Sequence, residues 1–344
     1  MHGSMEGDTV HVPSPAREKF YDSRGYGHPR GDALALSPVE AAHLLFRGDL
    51  EAVDGMGFRS FLATTDTLVR FLVYKDLRER GFYLSPARDG WVGSDATDDV
   101  DFVVYPRGNG PWDGVTEYRV RVVGERESVP ASSLTETLAV VDEESEITYF
   151  SVDTPDVTGS TDHDLPEDVP GMLLADRVVL WDAPTVLYER AFYGQPLDAR
   201  DMSSDSEPSM SIQCSLVEAA HLADRGIVRI DAGLDGIVDR GRVVEGDRFD
   251  RRWAVYSTLR EQGVVPKTGY KFGADFRTYA SIEHIDELDH SEQLIRVVSR
   301  NHAFSPRDLA LDGRLAHGVR KRMVFALTDA TGAIDWRSIR RLTP

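Results

Sequence analysis

The chain has 344 residues, of which 41% are hydrophobic, and a formal net charge of −19 at pH 7. This length is sufficient for two or more domains with buried cores. The absence of any run of about 18 apolar residues excludes a transmembrane helix, and the N-terminus lacks the pattern of a signal peptide. The single cysteine, Cys214, excludes an internal disulfide and a cysteine-based metal site. We therefore expect a cytoplasmic protein without a membrane anchor.

The charge is carried by an unusual set of side chains. The 39 basic residues include only five lysines, against 58 acidic residues. Such a composition resembles that of proteins from extreme halophiles. Molar salt shortens the Debye length to about 3 Å, so an acidic surface then hardly repels a phosphate backbone. The charge is also uneven, since residues 251–344 carry 16 basic and 11 acidic side chains. We expect an anionic substrate to bind in this last part.

The chain contains an internal repeat. An identical block, VEAAHL, occupies residues 39–44 and 217–222. Four more pairs of matching blocks occur in the same order, at residues 20–27 and 187–194, 73–81 and 255–263, 101–105 and 275–279, and 121–123 and 296–298. Five blocks in one order indicate a duplication.

The duplication predicts the domain organisation. We expect an α/β (mixed α+β) protein in which each copy consists of two small subdomains. The predicted segments are a flexible N-terminus at 1–16, a first copy at 17–152, a linker at 153–164, and a second copy with subdomains at 165–248 and 249–344.

In the second copy, local patterns predict the elements in order. Apolar spacing and end signals indicate helices at about 215–225 and 249–262. A further helix starts after Ser305, because serine is a good N-cap and Pro306 and Asp308 suit a first turn. Segment 201–208 is polar and predicts a loop. Strands are predicted at 177–180, 185–187, 270–279, 293–299, 323–328 and 333–339.

Three motifs of the last subdomain contain residues suited to catalysis. In residues 267–279, two glycines flank a basic and aromatic segment that ends at Tyr279. His290 follows eleven residues later, before a predicted strand, and Lys321 closes the helix that starts after Ser305.

Together these motifs resemble the catalytic domain of archaeal tRNA-splicing endonucleases. The family signature is matched by Gly269-x-Lys271-Phe272-Gly273, Asp275-Phe276-x-x-Tyr279, His290-Ser291 and Val319-Arg320-Lys321. The duplicated length resembles the branch that works as a homodimer of two-repeat chains. The resemblance implies a restriction-endonuclease-like mixed sheet in the C-terminal subdomain of each copy. It also implies cleavage of precursor tRNA at a bulge-helix-bulge motif.

The resemblance implies that Tyr279, His290 and Lys321 form a catalytic triad that needs no metal or cofactor. The 2′-hydroxyl of the RNA attacks, and the ends are a 2′,3′-cyclic phosphate and a 5′-hydroxyl. Histidine suits proton donation at neutral pH, and lysine suits stabilisation of the phosphorane charge. Because an ordinary phenol holds its proton at neutral pH, Tyr279 either acts as the base, which we favour, or orients the hydroxyl.

The same resemblance implies RNA-binding residues. Family enzymes grip a bulged base with two arginines, and Arg314 matches the first by its spacing from Lys321. Either Arg341 or Arg337 matches the second. Lys271, in the basic and aromatic turn, is a further candidate.

The first copy departs from the signature. It retains Tyr105 but has no histidine before Arg121, a helix about eleven residues shorter after Pro130, and no lysine at its end. We predict that this copy is catalytically inactive.

The last hairpin of the first copy carries a dense acidic turn. Four acids occur there, whereas the corresponding turn of the second copy carries only Asp329. In the family, an acidic loop at this hairpin docks on the catalytic domain of a neighbouring unit. The resemblance therefore implies a homodimer with contacts through Asp142, Glu143, Glu144 and Glu146.

Two other functions are compatible with parts of the pattern. A metal-dependent nuclease would use Asp275 and nearby acids to hold magnesium. A non-catalytic RNA-binding or assembly subunit would suit the degenerate first copy.

Overall fold

The computed structural model describes residues 1–91, 99–134, 136–197 and 209–344. They form two compact units: unit 1 contains residues 1–153, 303–311 and 339–344, and unit 2 contains residues 154–302 and 312–338. Helices and mixed sheets occur in both, which confirms the predicted α/β class. Within the described ranges, no helix has the length and apolarity needed to cross a bilayer.

Most strands of unit 1 belong to two sheets. The strands are β1 (His2–Glu6), β2 (Thr9–Val12), β3 (His28–Arg30), β4 (Ala33–Leu36), β5 (Ala52–Val53), β6 (Leu84–Pro86), β7 (Phe102–Val104), β8 (Tyr118–Gly124), β9 (Val129–Pro130), β10 (Thr137–Val141) and β11 (Ile147–Asp153). The helices are α1 (Pro38–Phe46), α2 (Phe58–Thr65) and α3 (Leu68–Glu79). One sheet has the order β3-β4-β2-β1-β5, and β11, β10, β8, β7 and β6 are successive neighbours in the other. Helix α3 packs on the second sheet.

Unit 2 repeats this arrangement. Its elements are β12 (Val169–Leu173), β13 (Arg177–Pro184), α4 (Val186–Glu189), β14 (Gln195–Pro196), β15 (Ser209–Ser215), α5 (Leu216–Asp224), β16 (Val228–Ile230), α6 (Gly233–Glu245), α7 (Arg248–Glu261), β17 (Val265–Thr268), β18 (Phe276–Tyr279), β19 (Gln293–Ser299) and β21 (Arg322–Thr328). One sheet has the order β14-β15-β13-β12-β16, and β17, β18, β19 and β21 are successive neighbours in the other. Strand β20 (Ala303–Phe304) falls in the range of unit 1, whereas α8 (Pro306–Gly318) and β22 (Ile334–Leu342) each run through both ranges.

The helix that carries the repeated block starts in the same way in both units. Ser37 of α1 and Ser215 of α5 are N-caps whose hydroxyls accept a hydrogen bond from the backbone of Glu40 and Glu218. Each glutamate in turn accepts a hydrogen bond from the backbone N–H of its cap. This reciprocal capping box satisfies donors that the first helical turn leaves unpaired. The repeated block therefore encodes a helix start and a buried face.

A buried polar network lies beside α1 in unit 1. The Arg78 guanidinium stands 4.0 Å from the centroid of the Tyr26 ring and donates to the Tyr74 hydroxyl at 2.8 Å. The Tyr26 hydroxyl is 2.9 Å from Nδ1 of His43. Burial, with a smaller effect of Arg78, lowers the pKa of His43 to about 3. The histidine of the repeated block is therefore a neutral core residue.

Unit 2 contains the equivalent network beside α5. The Arg260 guanidinium stands 3.7 Å from the centroid of the Tyr193 ring and donates to the Tyr256 hydroxyl at 3.0 Å. Burial, followed by Arg260, lowers the pKa of His221 to about 3. The arginine and the two tyrosines make the same contacts in both units, which confirms the predicted duplication at the level of packing.

One cation distinguishes the two networks. In unit 2, the Lys267 ammonium donates to the carbonyl of Gly194 at 2.6 Å and to Glu218 at 3.3 Å. Burial opposes ionisation of Glu218, but Lys267 keeps the pKa of this carboxyl below its ordinary value. The repeat alignment places Ser85 at the corresponding position of unit 1, and burial raises the pKa of Glu40 there.

The prediction of a flexible N-terminus at 1–16 is wrong. Strands β1 and β2 form a hairpin, in which β1 pairs with β5 and β2 pairs with β4. Val10 and Val12 are fully buried in the core of unit 1. Their alternation with polar residues is the pattern of a half-buried strand. These first residues therefore belong to unit 1.

The predicted linker at 153–164 also needs correction. Residues 154–164 belong to unit 2, where the N–H of Gly159 donates to the carbonyl of Gln262 at 2.8 Å and Val157 is buried. Backbone pairing of this kind fixes a segment that carries no regular element. Residues 303–311 and 339–344, assigned from the sequence to the catalytic subdomain, group with unit 1.

The predicted helices at 215–225 and 249–262 are confirmed as α5 and α7. The helix after Ser305 is confirmed as α8, and the Ser305 hydroxyl accepts the N–H of Asp308 at 3.1 Å. The strand predicted at 185–187 is wrong, because α4 starts there, and helix α6 was not predicted. The predicted strand at 270–279 is regular only from Phe276. The loop predicted at 201–208 lies outside the described residues.

Candidate active site

A glycine-flanked turn leads into strand β18. Residues Tyr270–Phe272 form one 3-10 turn, and Gly273 ends it at φ +67°, a left-handed conformation that glycine adopts without strain. Strand β18 then pairs antiparallel with β17 and with β19. Because side chains alternate along a strand, Arg277 and Tyr279 share the face opposite to Phe276. Phe276 packs in the core of unit 2, which determines the face on which Tyr279 lies.

The three predicted catalytic residues lie at or next to the ends of three neighbouring strands. Thr278 of β18 is paired with Gln293 of β19, which is paired with Arg322 of β21. Tyr279 ends β18, His290 lies three residues before β19, and Lys321 directly precedes β21. This register brings the backbones of the three residues to the same end of three neighbouring strands.

Lys321 is tied to the backbone next to His290. Its ammonium donates to the carbonyl of Ser291 and lies 5.8 Å from the centroid of the Phe272 ring. Burial, and to a smaller extent the Arg277 guanidinium, lowers the pKa of Lys321 below its ordinary value. The side chain therefore links the signature turn, the histidine segment and the end of α8.

Tyr279 is buried in a small apolar cluster. Its ring meets the Phe192 ring edge-on, with 5.8 Å between centroids, and Val265 and Ile282 complete the cluster. The guanidinium carbon of Arg277 lies 5.8 Å from the centroid of the Tyr279 ring. Packing therefore restricts the orientation of the ring.

His290 is exposed in the segment that leads into β19. His284, six residues earlier, has a local role: its Nδ1 accepts the N–H of Asp286 at 3.2 Å and lies 3.4 Å from the Asp286 carboxylate. His317 is exposed in the last turn of α8. Of these histidines, His290 is the one that the strand register places beside Lys321.

The predicted RNA-binding residues differ in exposure and in their hydrogen bonds to neighbouring residues. Arg314 on α8 and Lys271 in the turn before β18 are exposed. Arg337 donates to Asp335 at 2.7 Å and to the Thr154 hydroxyl at 3.2 Å, so its guanidinium is engaged within unit 2.

Arg341 is exposed in the part of β22 that belongs to unit 1. Among the two alternatives for the second base-gripping arginine, Arg341 is therefore the more accessible side chain.

Asp275, the proposed magnesium ligand of the alternative nuclease, is engaged in a structural role. Its carboxylate accepts the N–H of Val297 at 2.8 Å and lies 3.0 Å from Nε of Arg252. In unit 1, Asp101 likewise accepts the N–H of Val122, at 2.7 Å. Among the described residues, no group of three His, Cys, Asp or Glu side chains is placed to hold a metal. The conserved geometry of both copies favours a structural aspartate.

The tyrosine of the first copy is engaged differently from Tyr279. The Tyr105 hydroxyl donates to the hydroxyl of Ser85 at 3.0 Å, and both residues are buried. Where the second copy has α8, the described residues of the first copy form the short 3-10 turn Ala131–Ser133 after β9. These differences support the prediction that the first copy is inactive.

The acidic hairpin connects β10 and β11. Asp142 shapes its turn, because Oδ1 accepts the N–H groups of Glu144 at 3.0 Å and Glu146 at 2.8 Å. Asp329 makes the same two bonds in its own turn, to Thr331 and Ala333. The acids that distinguish the first copy are therefore the three exposed glutamates, Glu143, Glu144 and Glu146.

Sequence reasoning missed two side chains that contact Tyr279. Phe192 adopts a left-handed backbone at φ +55°, whereas the repeat places Gly25, at φ +66°, in the same position of unit 1. Arg277 is the second, and its counterpart in unit 1 is Val103. The signal was present in the repeat alignment, since both positions change residue type between the copies.

Comparisons with known proteins agree with this architecture. The model of the tRNA intron endonuclease catalytic C-terminal domain matches residues 249–336. The model of the N-terminal domain of the same family matches twice, at residues 1–62 and 169–240. The fold and site thus define a duplicated RNA-processing nuclease scaffold, and the chain belongs to the tRNA intron endonuclease family.

Full-length relatives support the same assignment. The chain is 58% identical to the tRNA-splicing endonuclease of Haloferax volcanii over 346 residues, and the alignment covers 100% of both chains. It is 56% identical to that of Halobacterium salinarum, again over 100% of both chains. The identity to the enzyme of Methanosarcina acetivorans is 34%, over 99% of each chain. The predicted archaeal family and the halophilic character of the chain are confirmed.

Proposed function

We propose that the protein is a tRNA-splicing endonuclease that cuts precursor tRNA at intron-exon junctions within a bulge-helix-bulge motif. The observation that supports this proposal is the strand register, which brings the backbones of Tyr279, His290 and Lys321 to the same end of three neighbouring strands. It is supported by membership of the family and by the net positive charge of residues 251–344 in an otherwise acidic chain.

The proposed reaction is an internal transesterification. The 2′-oxygen forms a bond to the adjacent phosphorus, and the bond from phosphorus to the 5′-oxygen breaks. Tyr279 takes the proton of the 2′-hydroxyl, and His290 gives a proton to the 5′-oxygen as it leaves. Lys321 stabilises the charge that builds on the phosphorane. No water is consumed, so the ends are a 2′,3′-cyclic phosphate and a 5′-hydroxyl.

The active assembly in this proposal is a homodimer. The glutamate-rich turn of one chain docks on the basic catalytic part of unit 2 in the other chain. A two-fold dimer makes this contact twice and holds two active sites at a fixed distance. Such an arrangement suits a substrate with two related cleavage sites.

The test is cleavage of an intron-bearing precursor tRNA in excess EDTA, followed by analysis of the product ends. We expect two cuts and cyclic-phosphate ends. Cleavage that requires added magnesium or leaves a 5′-phosphate would support the metal-dependent alternative. RNA binding without cleavage would support the assembly subunit.

A further inference from the structure

Arg277 is a partly buried cation beside the candidate active site. It lies on the same face of β18 as Tyr279, and its guanidinium carbon is 5.8 Å from the centroid of that ring. Its Nε is buried, and no hydrogen-bond partner for this atom lies in the described part of the chain. A buried donor without a hydrogen-bond partner costs free energy. The position therefore suits an anion that binds from outside.

Three other cations near Arg277 are paired with carboxylates. Lys267 stands opposite Arg277 in the pairing of β17 with β18, but Glu218 neutralises Lys267. Both cations line a cavity of about 530 Å³ in unit 2, together with Glu218 and the ion pair of Arg177 with Asp176. Arg277 is thus a cation on the cavity wall whose charge no carboxylate among the described residues neutralises at ion-pair distance.

The first copy shows that the fold does not need this arginine. The repeat alignment places Val103 at the corresponding position of β7, which pairs with β6 and β8 as β18 pairs with β17 and β19. Val103 is buried and apolar in the copy that also lacks counterparts of His290 and Lys321. The arginine occurs in the copy in which the three candidate catalytic residues converge.

We propose that Arg277 binds a backbone phosphate of the RNA at the cleavage site and stabilises the charge that builds there. This inference rests on the proposed function and adds a substrate-binding residue to it. A guanidinium presents a planar fork of donors that matches two phosphate oxygens. It would act beside Lys321, whose ammonium is held by the Ser291 carbonyl on the same sheet edge.

The test compares the wild type with Arg277→Val, Arg277→Lys and a control, Arg229→Val. Valine occupies the equivalent strand position in unit 1 and favours a strand. Arg229 lies on β16 and is paired with Asp168, so its replacement changes the same charge at a neutralised site. Precursor affinity is measured at several KCl concentrations, and single-turnover cleavage is measured with saturating enzyme.

We expect Arg277→Val to lower the slope of log affinity against log salt by about 0.7–0.9, the value of one lost phosphate contact. We also expect cleavage to fall by about 10²–10³-fold, as for removal of one transition-state donor. Arg277→Lys should lose less affinity and less activity than Arg277→Val, because lysine keeps the positive charge but lacks the planar pair of donors. Arg229→Val should behave like the wild type.

A wild-type salt slope in Arg277→Val overturns the proposal, even if cleavage falls, because the arginine then acts on Tyr279 or on the fold. If thermal unfolding shows that Arg277→Val is unfolded, Arg277→Gln replaces it in the same measurements. Failure of the wild type to cut the precursor overturns the proposed function instead, so the two failures are distinct.

Discussion

At the residue scale, the two tyrosines of the duplicated DFxxY motif occupy equivalent strand ends in different surroundings. The Tyr105 hydroxyl donates a hydrogen bond to Ser85, whereas Tyr279 lies at the same end of the strands as His290 and Lys321. The same motif therefore has a structural role in one copy and a candidate catalytic role in the other. What decides the role is the set of neighbours supplied by other strands.

Replacement of His290 separates catalysis from binding. His290→Ala should slow single-turnover cleavage by about 10²–10⁴-fold, the range for loss of a general acid, while precursor affinity persists. Its exposure makes loss of the fold unexpected. Gel-shift and cleavage assays on the same preparation measure both quantities.

Tyr105→Phe is the matched control for the first copy. It removes one buried hydrogen bond, worth about 1 kcal/mol of stability, and should leave the cleavage rate unchanged. Equal losses of activity from the two variants would show that the catalytic copy has been misassigned.

The candidate site could be predicted only in part from the sequence. Tyr279, His290 and Lys321 belong to motifs of consecutive residues, and such motifs are readable without coordinates. Phe192 contacts Tyr279 from another subdomain, and the role of Arg277 depends on which carboxylates stand near it. Contacts of this kind depend on the register of strands distant in sequence.

At the element scale, the pair of Lys267 and Glu218 joins β17 to the start of α5. Both side chains are buried, and Lys267 also holds the carbonyls of Phe192 and Gly194. Removal of one member of a buried pair leaves an uncompensated charge, which typically costs about 3–5 kcal/mol. Lys267→Met should therefore lower the free energy of unfolding of unit 2 by an amount of this order, measured by chemical denaturation.

Lys75→Met provides the comparison. Lys75 pairs with Glu79 one turn along α3 at 2.7 Å, and 29% and 60% of the two side chains are exposed. Such exposed pairs contribute at most about 1 kcal/mol. Similar losses of stability in both variants would contradict the role assigned to Lys267.

Elements with strong local signals were predicted correctly, and elements without them were not. Helices α5, α7 and α8 combine apolar spacing with a cap or a clear end, which is sufficient to define a helix. The hairpin of β1 and β2 is short and becomes regular through pairing with β4 and β5. The backbone bonds of residues 159–161 are equally non-local. Neither feature can be read from a window of consecutive residues.

At the scale of the whole molecule, the two buried histidines predict acid sensitivity. The pKa of His43 and of His221 is about 3 in the folded protein, against an ordinary value of about 6.5. Between these values the unfolded chain binds more protons, so stability is complete above pH 6.5 and falls as the pH falls toward 3. Each histidine should cost roughly 1.5 kcal/mol between pH 6.5 and 5.

Denaturant midpoints at constant molar KCl measure this dependence. His221→Phe should remove about half of it, because phenylalanine fills the site without a proton to bind. The replacement removes the hydrogen bond between Nδ1 and the Ser257 hydroxyl, which is 3.0 Å long. An unchanged pH dependence in this variant would assign the acid sensitivity to other groups.

Removal of charge from the glutamate-rich turn of the β10–β11 hairpin should weaken assembly. Asp142 must be retained in the test, because its carboxylate holds the turn by two backbone bonds, as Asp329 does in unit 2. The exposed glutamates at 143, 144 and 146 have no acidic counterparts at 330, 331 and 333. Their replacement by glutamine therefore removes charge without removing the bonds that shape the hairpin.

The triple variant Glu143→Gln, Glu144→Gln and Glu146→Gln should shift the protein from dimer to monomer in light scattering and lower cleavage of the precursor. Circular dichroism should remain that of the wild type, since the turn is intact. The control replaces three other exposed glutamates, Glu18, Glu127 and Glu167, and changes the net charge by the same amount. This control should remain a dimer, because the proposed contact depends on the charges clustered at one turn and not on the total charge of the chain. A dimer with full activity in the triple variant would leave the turn as part of the acidic surface that molar salt already screens.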